Sequence, residues 1–369
     1  MKKITIAGYH GNSNLGDDYF LSFILKELQK RQILRATLIA KKGSINNHLI
    51  PDKFDLHCTL STKTKFRGYD KIVSIFYHGM KTDKLIFCAG SIFTILPNFL
   101  FYLVIRMLKL LRPKLEISAI GVSVGPFPNI RAKFWLPKAL KYFDQLILRD
   151  EVSLNRLKSK QNAVVSRDIA YLKPQAKFPN KDHSSLLISV HPYNSFFSDN
   201  WTVETERNEV IAMLVGEAVK SGAIKKVTIF VTCTDEKYGD DVLSNDLAAK
   251  LLKNGIEAKI VHYKTIEQSV ELIQRYEKVI SSRLHTGFFG LKTGGVIYQF
   301  AYADKIKNFY YNLSLKNMIF DHPYRINVEK FSTFLQSNAL KDRTDFIKIN
   351  ELGSEAKETY TSYFDKLNG

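Results

Sequence analysis

Short apolar runs ending in small or polar residues alternate with amphipathic stretches along most of the 369 residues, and this rhythm constrains the fold most. It begins at Ile4 to Gly8, which runs into Gly8-Tyr9-His10-Gly11-Asn12-Ser13-Asn14-Leu15-Gly16-Asp17-Asp18. Tyr19 to Gln29 follows with Phe20, Phe23, Ile24 and Leu28 at helical spacing. Thr37 to Ala40 and Phe54 to Leu60 read as strands, Asp70 to His78 as a helix, and Lys84 to Ser91 as a strand closing in a small-residue turn. Asn98 to Leu111 reads as a long apolar helix, Glu116 to Val124 as a strand and Arg131 to Phe143 as a helix. Gln145 to Leu148 is a strand ending in Arg149-Asp150, and Glu151 to Lys158 a further helix. Strand and helix in regular alternation predict a parallel sheet covered on both faces. Ligands of such sheets bind outside the carboxyl ends of the strands. Gly8 to Asn14, Ala89 to Ser91, Gly121 to Gly125 and Arg149 all fall at that end.

The polar, proline-containing stretch Lys173 to His183 interrupts the pattern and reads as a linker. The alternation restarts at Leu186 to Val190 and continues through Glu204–Lys220, Lys226–Val231, Asp240–Lys253, Ala258–His262 and Ile266–Arg275. The expected organisation is an N-terminal α/β domain over 1–172, a linker over 173–185 and a second α/β domain over 186–327. Helices over 328–369 are placed to cross back and brace the first domain. Two such Rossmann-like domains with facing strand ends would enclose a central cleft.

The second domain holds the residues best suited to chemistry. Lys278 to Ile280 ends a strand, and Ser281-Ser282-Arg283-Leu284-His285 follows before the small-residue helix Thr286 to Leu291. Arg283 and His285 are therefore expected where a strand gives way to a helix, whose unpaired N–H groups favour an anion. An arginine offers a planar fork for phosphate or carboxylate, and a histidine moves protons near neutral pH. Lys305, after the strand Val296 to Ala301, is placed to return to the same mouth.

Hydrophobic residues make up 45% and charged residues 24%, a globular composition. Lys+Arg 54 against Asp+Glu 36 gives a net charge of +18, which favours a phosphorylated substrate or an anionic membrane surface. Nucleic acid is disfavoured, because the cations are dispersed and no nucleic-acid-binding signature occurs. Cys58, Cys88 and Cys233 are few and far apart, so neither a disulfide framework nor a Cys-x-x-Cys metal site is expected, and a reducing cytoplasm fits. The N-terminal apolar run is a strand's length and not a signal peptide's. No apolar run is long enough to span a membrane. Asn98 to Leu111, aromatic at its start and basic at its end, reads either as a helix lying on a membrane or as a covering helix buried on both sides. The acidic group Asp235, Glu236, Asp240 and Asp241 reads more simply as a solvated loop and helix start than as a metal site.

These motifs, in this order, resemble the polysaccharide pyruvyl transferases over nearly the whole chain. Gly11 to Asp18 is similar to the family's opening Gly-x-x-Asn-x-Gly-Asp, and Gly121 to Pro126 to its central Gly-x-x-x-Gly-Pro. Leu148-Arg149-Asp150-Glu151 with Ser153 resembles its Arg-Asp-x-x-Ser, and Asp168-Ile169-Ala170 its Asp-x-Ala. The strongest match is Ser282-Arg283-Leu284-His285 with Tyr302 and Lys305. The chain departs at Ala89-Gly90-Ser91, where the family has a run of glycines, and at His191, where it has an arginine. The resemblance implies a GT-B-like pair of domains, acceptor on the first and donor on the second. It also implies transfer of pyruvyl from phosphoenolpyruvate onto two hydroxyls of a sugar, which could be lipid-linked, with no cofactor or metal. His285 and Arg283 are then the catalytic pair. Arg149 and Lys305 are second-rank anion ligands, Ser282 and His191 are substrate-binding residues, and Asn14, Gly16 and Asp17 serve the acceptor or the loop. A nucleotide-sugar glycosyltransferase and a non-catalytic glycan-binding protein of a polysaccharide synthesis complex remain the alternatives.

Overall fold

A computed structural model describes residues 2–41, 44–60, 69–88, 90, 92–95, 99–125, 127, 129–172, 181–193, 201–235, 239–301, 304–310, 315, 318–322, 325–337 and 344–367. Most of the expected linker (173–180), Ala89, Ser91, Glu236, Tyr302 and the side chain of Lys305 lie outside the described residues. The chain divides into two compact units. One comprises Met1–Ser13, Asp17–Leu172 and Leu352–Gly369, the other Asn14–Gly16 and Lys173–Glu351.

The first unit carries β1 (Ile4–Ala7), β2 (Arg35–Lys41), β3 (Asp55–Leu60), β4 (Lys84–Cys88), β5 (Glu116–Val122), β6 (Gln145–Leu148) and β7 (Ala163–Val165). They pair in the order β3-β2-β1-β4-β5-β6-β7, each pair parallel. Its helices are α1 (Leu15–Lys30), α2 (Tyr69–Gly79), α3 (Ile92–Ile95), α4 (Phe99–Leu111), α5 (Ile130–Leu140) and α6 (Glu151–Asn155). All five residues of β4 are buried, as expected of a central parallel strand with helices on both faces. α2, α4 and α5 close one face over a shared core that includes Ile75, Phe87, Phe101, Ile105, Leu108 and Leu136. α4 buries Phe101, Val104, Ile105 and Leu108, a stripe at i, i+3, i+4 and i+7. Its opposite side exposes Phe99, Met107 and Leu110. The helix is therefore covering but not buried on both sides.

The second unit carries β8 (Asp182–Ser189), β9 (Lys226–Val231), β10 (Ala258–His262), β11 (Tyr276–Ser281), β12 (Val296–Phe300) and β13 (Met318–Asp321). The order is β10-β9-β8-β11-β12-β13, again parallel throughout. Its helices are α7 (Thr202–Lys220), α8 (Asp241–Lys253), α9 (Ile266–Gln274), α10 (Leu284–Lys292), α11 (Asp304–Phe309) and α12 (Val328–Gln336), and α13 (Thr344–Asp365) follows.

From Leu352 onward, α13 belongs to the first unit. Tyr360 and Phe364 meet Phe23 edge-on at 5.9 and 6.0 Å. The Tyr360 hydroxyl donates to the Arg167 carbonyl at 2.7 Å, and Arg31 pairs with Asp365 at 2.7 Å. The C-terminal segment thus crosses back, as its helical pattern implied.

Both sheets reverse direction once, between β1 and β4 and between β8 and β11. At such a switch point adjacent connections leave to opposite sides and open a crevice at the strands' carboxyl ends. These two places position the residues described next.

Candidate active site

In the second unit β8 ends at Ser189 and β11 at Ser281, side by side at the switch point. The Ser282 N–H donates to the Ser189 carbonyl at 2.9 Å, and its hydroxyl reaches the same oxygen at 3.3 Å. Ser281 ties off the strand: its Oγ accepts from the Arg283 N–H at 3.0 Å and donates to the Arg283 carbonyl at 2.7 Å. Arg283 is then the extended residue that opens α10. His285 is the second residue of that helix. Its ring lies 6.3 Å from Phe309, edge-on, and 6.4 Å from Phe289.

The short segment Asn14–Gly16 belongs to this unit as well. Leu15 N–H donates to the Thr232 carbonyl at 3.1 Å, and Asn14 bridges to Cys233. The Asn14 side chain accepts from the Gly16 N–H at 2.9 Å, so it caps α1. Helix α1 starts at Leu15, with Asp17 and Asp18 in its first turn. A Cβ on Gly16 would overlap Nδ1 of His285, so glycine lets this loop approach the imidazole.

The guanidinium of Arg283 does not stand alone. Its Nε donates to the Asp240 carboxylate at 3.1 and 3.2 Å, and Nη2 donates to the same group. Asp240 is fully buried and also accepts from the Thr232 hydroxyl at 2.9 Å and from the Thr232 and Cys233 N–H groups at 3.2 Å. His191 Nδ1 lies 3.6 Å from it. Burial alone would raise the Asp240 pKa, but the Arg283 charge and His191 outweigh it and hold the carboxyl below its ordinary range. Asp240 is thus no part of a solvated acidic loop. The helix-start reading holds, since Asp240 directly precedes α8, but strand-end N–H groups and a cation converge on its carboxylate in place of water. Among the described residues no group of three His, Cys, Asp or Glu is arranged for a metal ion. Arg207, buried on α7, reaches the His191 carbonyl at 3.5 Å and brings another guanidinium to this strand end. The pairing of Asp240 with Arg283 is not visible in sequence, and Arg207 does not stand out there, since it sits in an ordinary polar helix.

Arg149 belongs to the first unit and is buried there. Its Nη1 pairs with Asp168 at 2.8 Å and its Nε donates to Ser123 Oγ at 2.6 Å. Ser123 donates to Asp150 at 2.7 Å, Asp150 accepts from the Ser153 N–H at 2.7 Å, and Ser153 Oγ accepts from the Val124 N–H at 2.8 Å. Three of the motifs recognised in sequence therefore meet in one buried network that fastens the ends of β5 and β6. Lys305 is in α11.

The switch point of the first unit brings together residues that the sequence does not link to one another. His10 Nε2 lies 3.1 Å from Cys88 Sγ, and Lys71 Nζ donates to the Gly8 carbonyl and lies 5.2 Å from the Tyr9 ring. Asp17 acts on Lys71 electrostatically, yet burial outweighs it and lowers the lysine to about 8. Burial, reinforced by Lys71, pushes His10 down to about 3. Between pH 3 and the ordinary histidine value the unfolded chain takes a proton that folded His10 refuses. Its contribution is complete above that ordinary value and lost as pH falls toward 3. At pH 4.5 the loss is roughly 2–3 kcal/mol relative to pH 7. Urea unfolding of wild type and His10→Gln at the two pH values checks this: the variant should be less acid-sensitive by that amount, and equal sensitivity contradicts it.

Solved structures similar to this chain share its fold at low identity. The UDP-GlcNAc 2-epimerase of Methanocaldococcus jannaschii aligns with a TM-score of 0.63 at 12% identity, covering 98% of this chain and 99% of that one. A putative UDP-N-acetylglucosamine 2-epimerase of Listeria monocytogenes aligns at 0.64 and 8% identity, covering 99% and 98%. Acinetobacter baumannii MurG aligns at 0.53 and 12%, covering 99% and 100%. The likeness establishes a GT-B-like fold of two parallel-sheet α/β domains. No curated protein sequence matches the chain. The sequence model of one family, polysaccharide pyruvyl transferase, matches residues 14–295, from the Asn14 cap through the Ser282–His285 stretch. By that match, the chain belongs to the polysaccharide pyruvyl transferase family.

Proposed function

We propose that this chain moves the pyruvyl group of phosphoenolpyruvate onto two hydroxyls of one sugar in a cell-surface polysaccharide or its precursor. The products are a cyclic ketal and phosphate. The observation that supports this reading best is the placement of Arg283 and His285 at the start of α10, beside the switch point of the second sheet.

The donor carries a phosphate and a carboxylate. The first-turn N–H groups of α10, which no preceding carbonyl can satisfy, suit an anion. His191 and Arg207 add positive or donor character nearby, and Ser282 and Lys305 complete the donor side in this reading. Because Asp240 engages the Arg283 guanidinium, Arg283 serves first as a fixed, charge-balanced support and second as an anion ligand. His285 delivers a proton to the methylene carbon of the donor, which becomes a methyl group. One sugar hydroxyl adds at the central carbon and gives up its proton, which restores the balance. The second hydroxyl then closes the ring as phosphate leaves with its bonding electron pair, and that hydroxyl's proton leaves with it. Donors aimed in advance at the developing charge lower the barrier.

The assay is direct. Incubation with phosphoenolpyruvate and a panel of sugar acceptors should release phosphate only when both are present. A nucleotide-sugar arm tests the other reading, which draws on the fold shared with Anabaena Alr3699/HepE, solved in complex with UDP and glucose. Release of nucleotide without phosphate release would overturn the pyruvyl assignment. Action at the cytoplasmic side, on phosphoenolpyruvate as a cytosolic metabolite, is part of the same proposal.

A further inference from the structure

We propose that the outer face of α4 and α5 seats the protein on the surface of an anionic lipid bilayer. The two helices share one core and lie side by side. The Trp135 ring of α5 stands 4.6 Å from Phe99 and 5.0 Å from Tyr102 of α4. Outward from this seam several large apolar side chains are exposed together. Leu110 and Ile130 are each 76% exposed, and Phe99, Met107, Leu111 and Phe134 are close to half exposed. Leu110 follows Met107 and Phe99 along one side of α4, and Phe134 follows Ile130 by one turn on α5. Each helix thus presents a stripe and not a scatter.

The charged residues of the two helices themselves are all basic. α4 and α5 contain no carboxylate, and between Lys84 and Phe143 the only acidic residue is Glu116, which pairs with Lys84 at 2.7 Å. Lys138 lies 3.6 Å over the Phe134 ring and 4.9 Å from Trp135, and Lys158 lies 5.6 Å from Phe134. Lys109 is engaged by Asp144, and Arg112 by the Met80 and Thr82 carbonyls. Arg131, Lys133 and Lys141 are exposed on or beside α5. Aromatic rings with polar edges, aliphatic tips and long basic stems match the three layers of an anionic membrane surface: acyl boundary, headgroup and phosphate. A protein partner would need a large acidic surface with an apolar centre to match the same face. No helix among the described residues is long and apolar enough to cross a membrane, so the contact is a seat and not a span.

The inference does not rest on the pyruvyl reading, because its test contains neither donor nor acceptor. The full chain is sedimented with vesicles of phosphatidylcholine alone or mixed with phosphatidylglycerol, at low and high salt. Binding is expected only with the anionic vesicles and should fall at high salt. Leu110→Ser with Ile130→Ser removes exposed apolar tips without touching the core and should weaken binding at least tenfold. Lys133→Glu with Lys138→Glu should weaken it at least twentyfold, at about fivefold per charge removed near the surface. Lys220→Glu with Lys253→Glu makes the same charge change on exposed residues of the second unit and should leave binding as in wild type. Thermal unfolding by circular dichroism verifies that each variant folds. Equal binding to neutral vesicles, equal weakening by the second-unit pair, or no anionic binding at low salt each overturns the proposal. Self-association in sedimentation velocity that the Leu110/Ile130 variant abolishes, without vesicle binding, also overturns it and makes the face a contact between copies.

Discussion

Replacing His285 with alanine should lower turnover roughly 10²–10⁴-fold, the range for loss of a positioned acid or base, while donor affinity changes little. The expectation rests on placement. The imidazole is the second residue of α10, next to the helix end that suits the donor's anionic groups, and Phe289 and Phe309 flank it. The Gly16 backbone lies against Nδ1, where any larger residue would displace the ring. Fixed orientation matters because proton delivery to a carbon tolerates little misalignment. His285→Gln keeps a polar group of similar reach but cannot shuttle a proton, so it should resemble the alanine variant in turnover. Single-turnover rates with donor titration separate the two quantities. Near-normal turnover in a folded His285→Ala protein would assign the proton transfer elsewhere.

Replacing Asp240 with alanine should cost about 3–5 kcal/mol of stability, because it leaves the largely buried Arg283 charge without its carboxylate. The Thr232 and Cys233 N–H groups and the Thr232 hydroxyl lose their acceptor in the same step. Asp240→Asn retains an acceptor oxygen for them and should fall between the alanine variant and wild type. Pairing Asp240→Leu with Arg283→Met removes both charges and should recover part of the loss, while activity stays low. Urea unfolding midpoints of the four proteins form the test. An Asp240→Ala protein as stable as wild type would show that the ion pair does not hold this strand end together. The pair also changes what Arg283→Lys means. The variant would lose two guanidinium contacts to Asp240 before any contact to substrate is considered, so stability must be measured beside affinity.

The fold was legible because parallel sheets covered on both faces leave a plain record. Runs such as Leu85 to Cys88 and Leu186 to Ile188 are apolar throughout, and each is followed by a helix with its own period. β7 and β13 escaped notice because three or four residues at a sheet edge carry too little pattern. The position of Arg283 and His285 was legible because polar side chains interrupt an apolar strand-to-helix passage. Asp240 was not, because its partner Arg283 is 43 positions away and an aspartate before a helix ordinarily needs no further explanation. Arg149 shows the converse. Its motif is conspicuous in sequence, and the structure gives it the carboxylate of Asp168 and the hydroxyl of Ser123. The meeting of His10 and Cys88 is not legible because a lone histidine and a lone cysteine have no spacing to read, and only the pairing of β1 with β4 brings them together.

The return of the C-terminal segment to the first unit bears on how the protein is made. A ribosome delivers the first unit's strands early, yet the residues that cover Phe23 and meet Ser118, Tyr360 to Phe364, emerge only after the whole second unit. At 5–20 residues per second that interval is roughly ten to forty seconds, long compared with hydrophobic collapse. During it the nascent first unit carries an uncovered apolar strip beside α1. It is then at its most exposed to wrong partners and to chaperone capture, until α13 completes a unit begun before the second one.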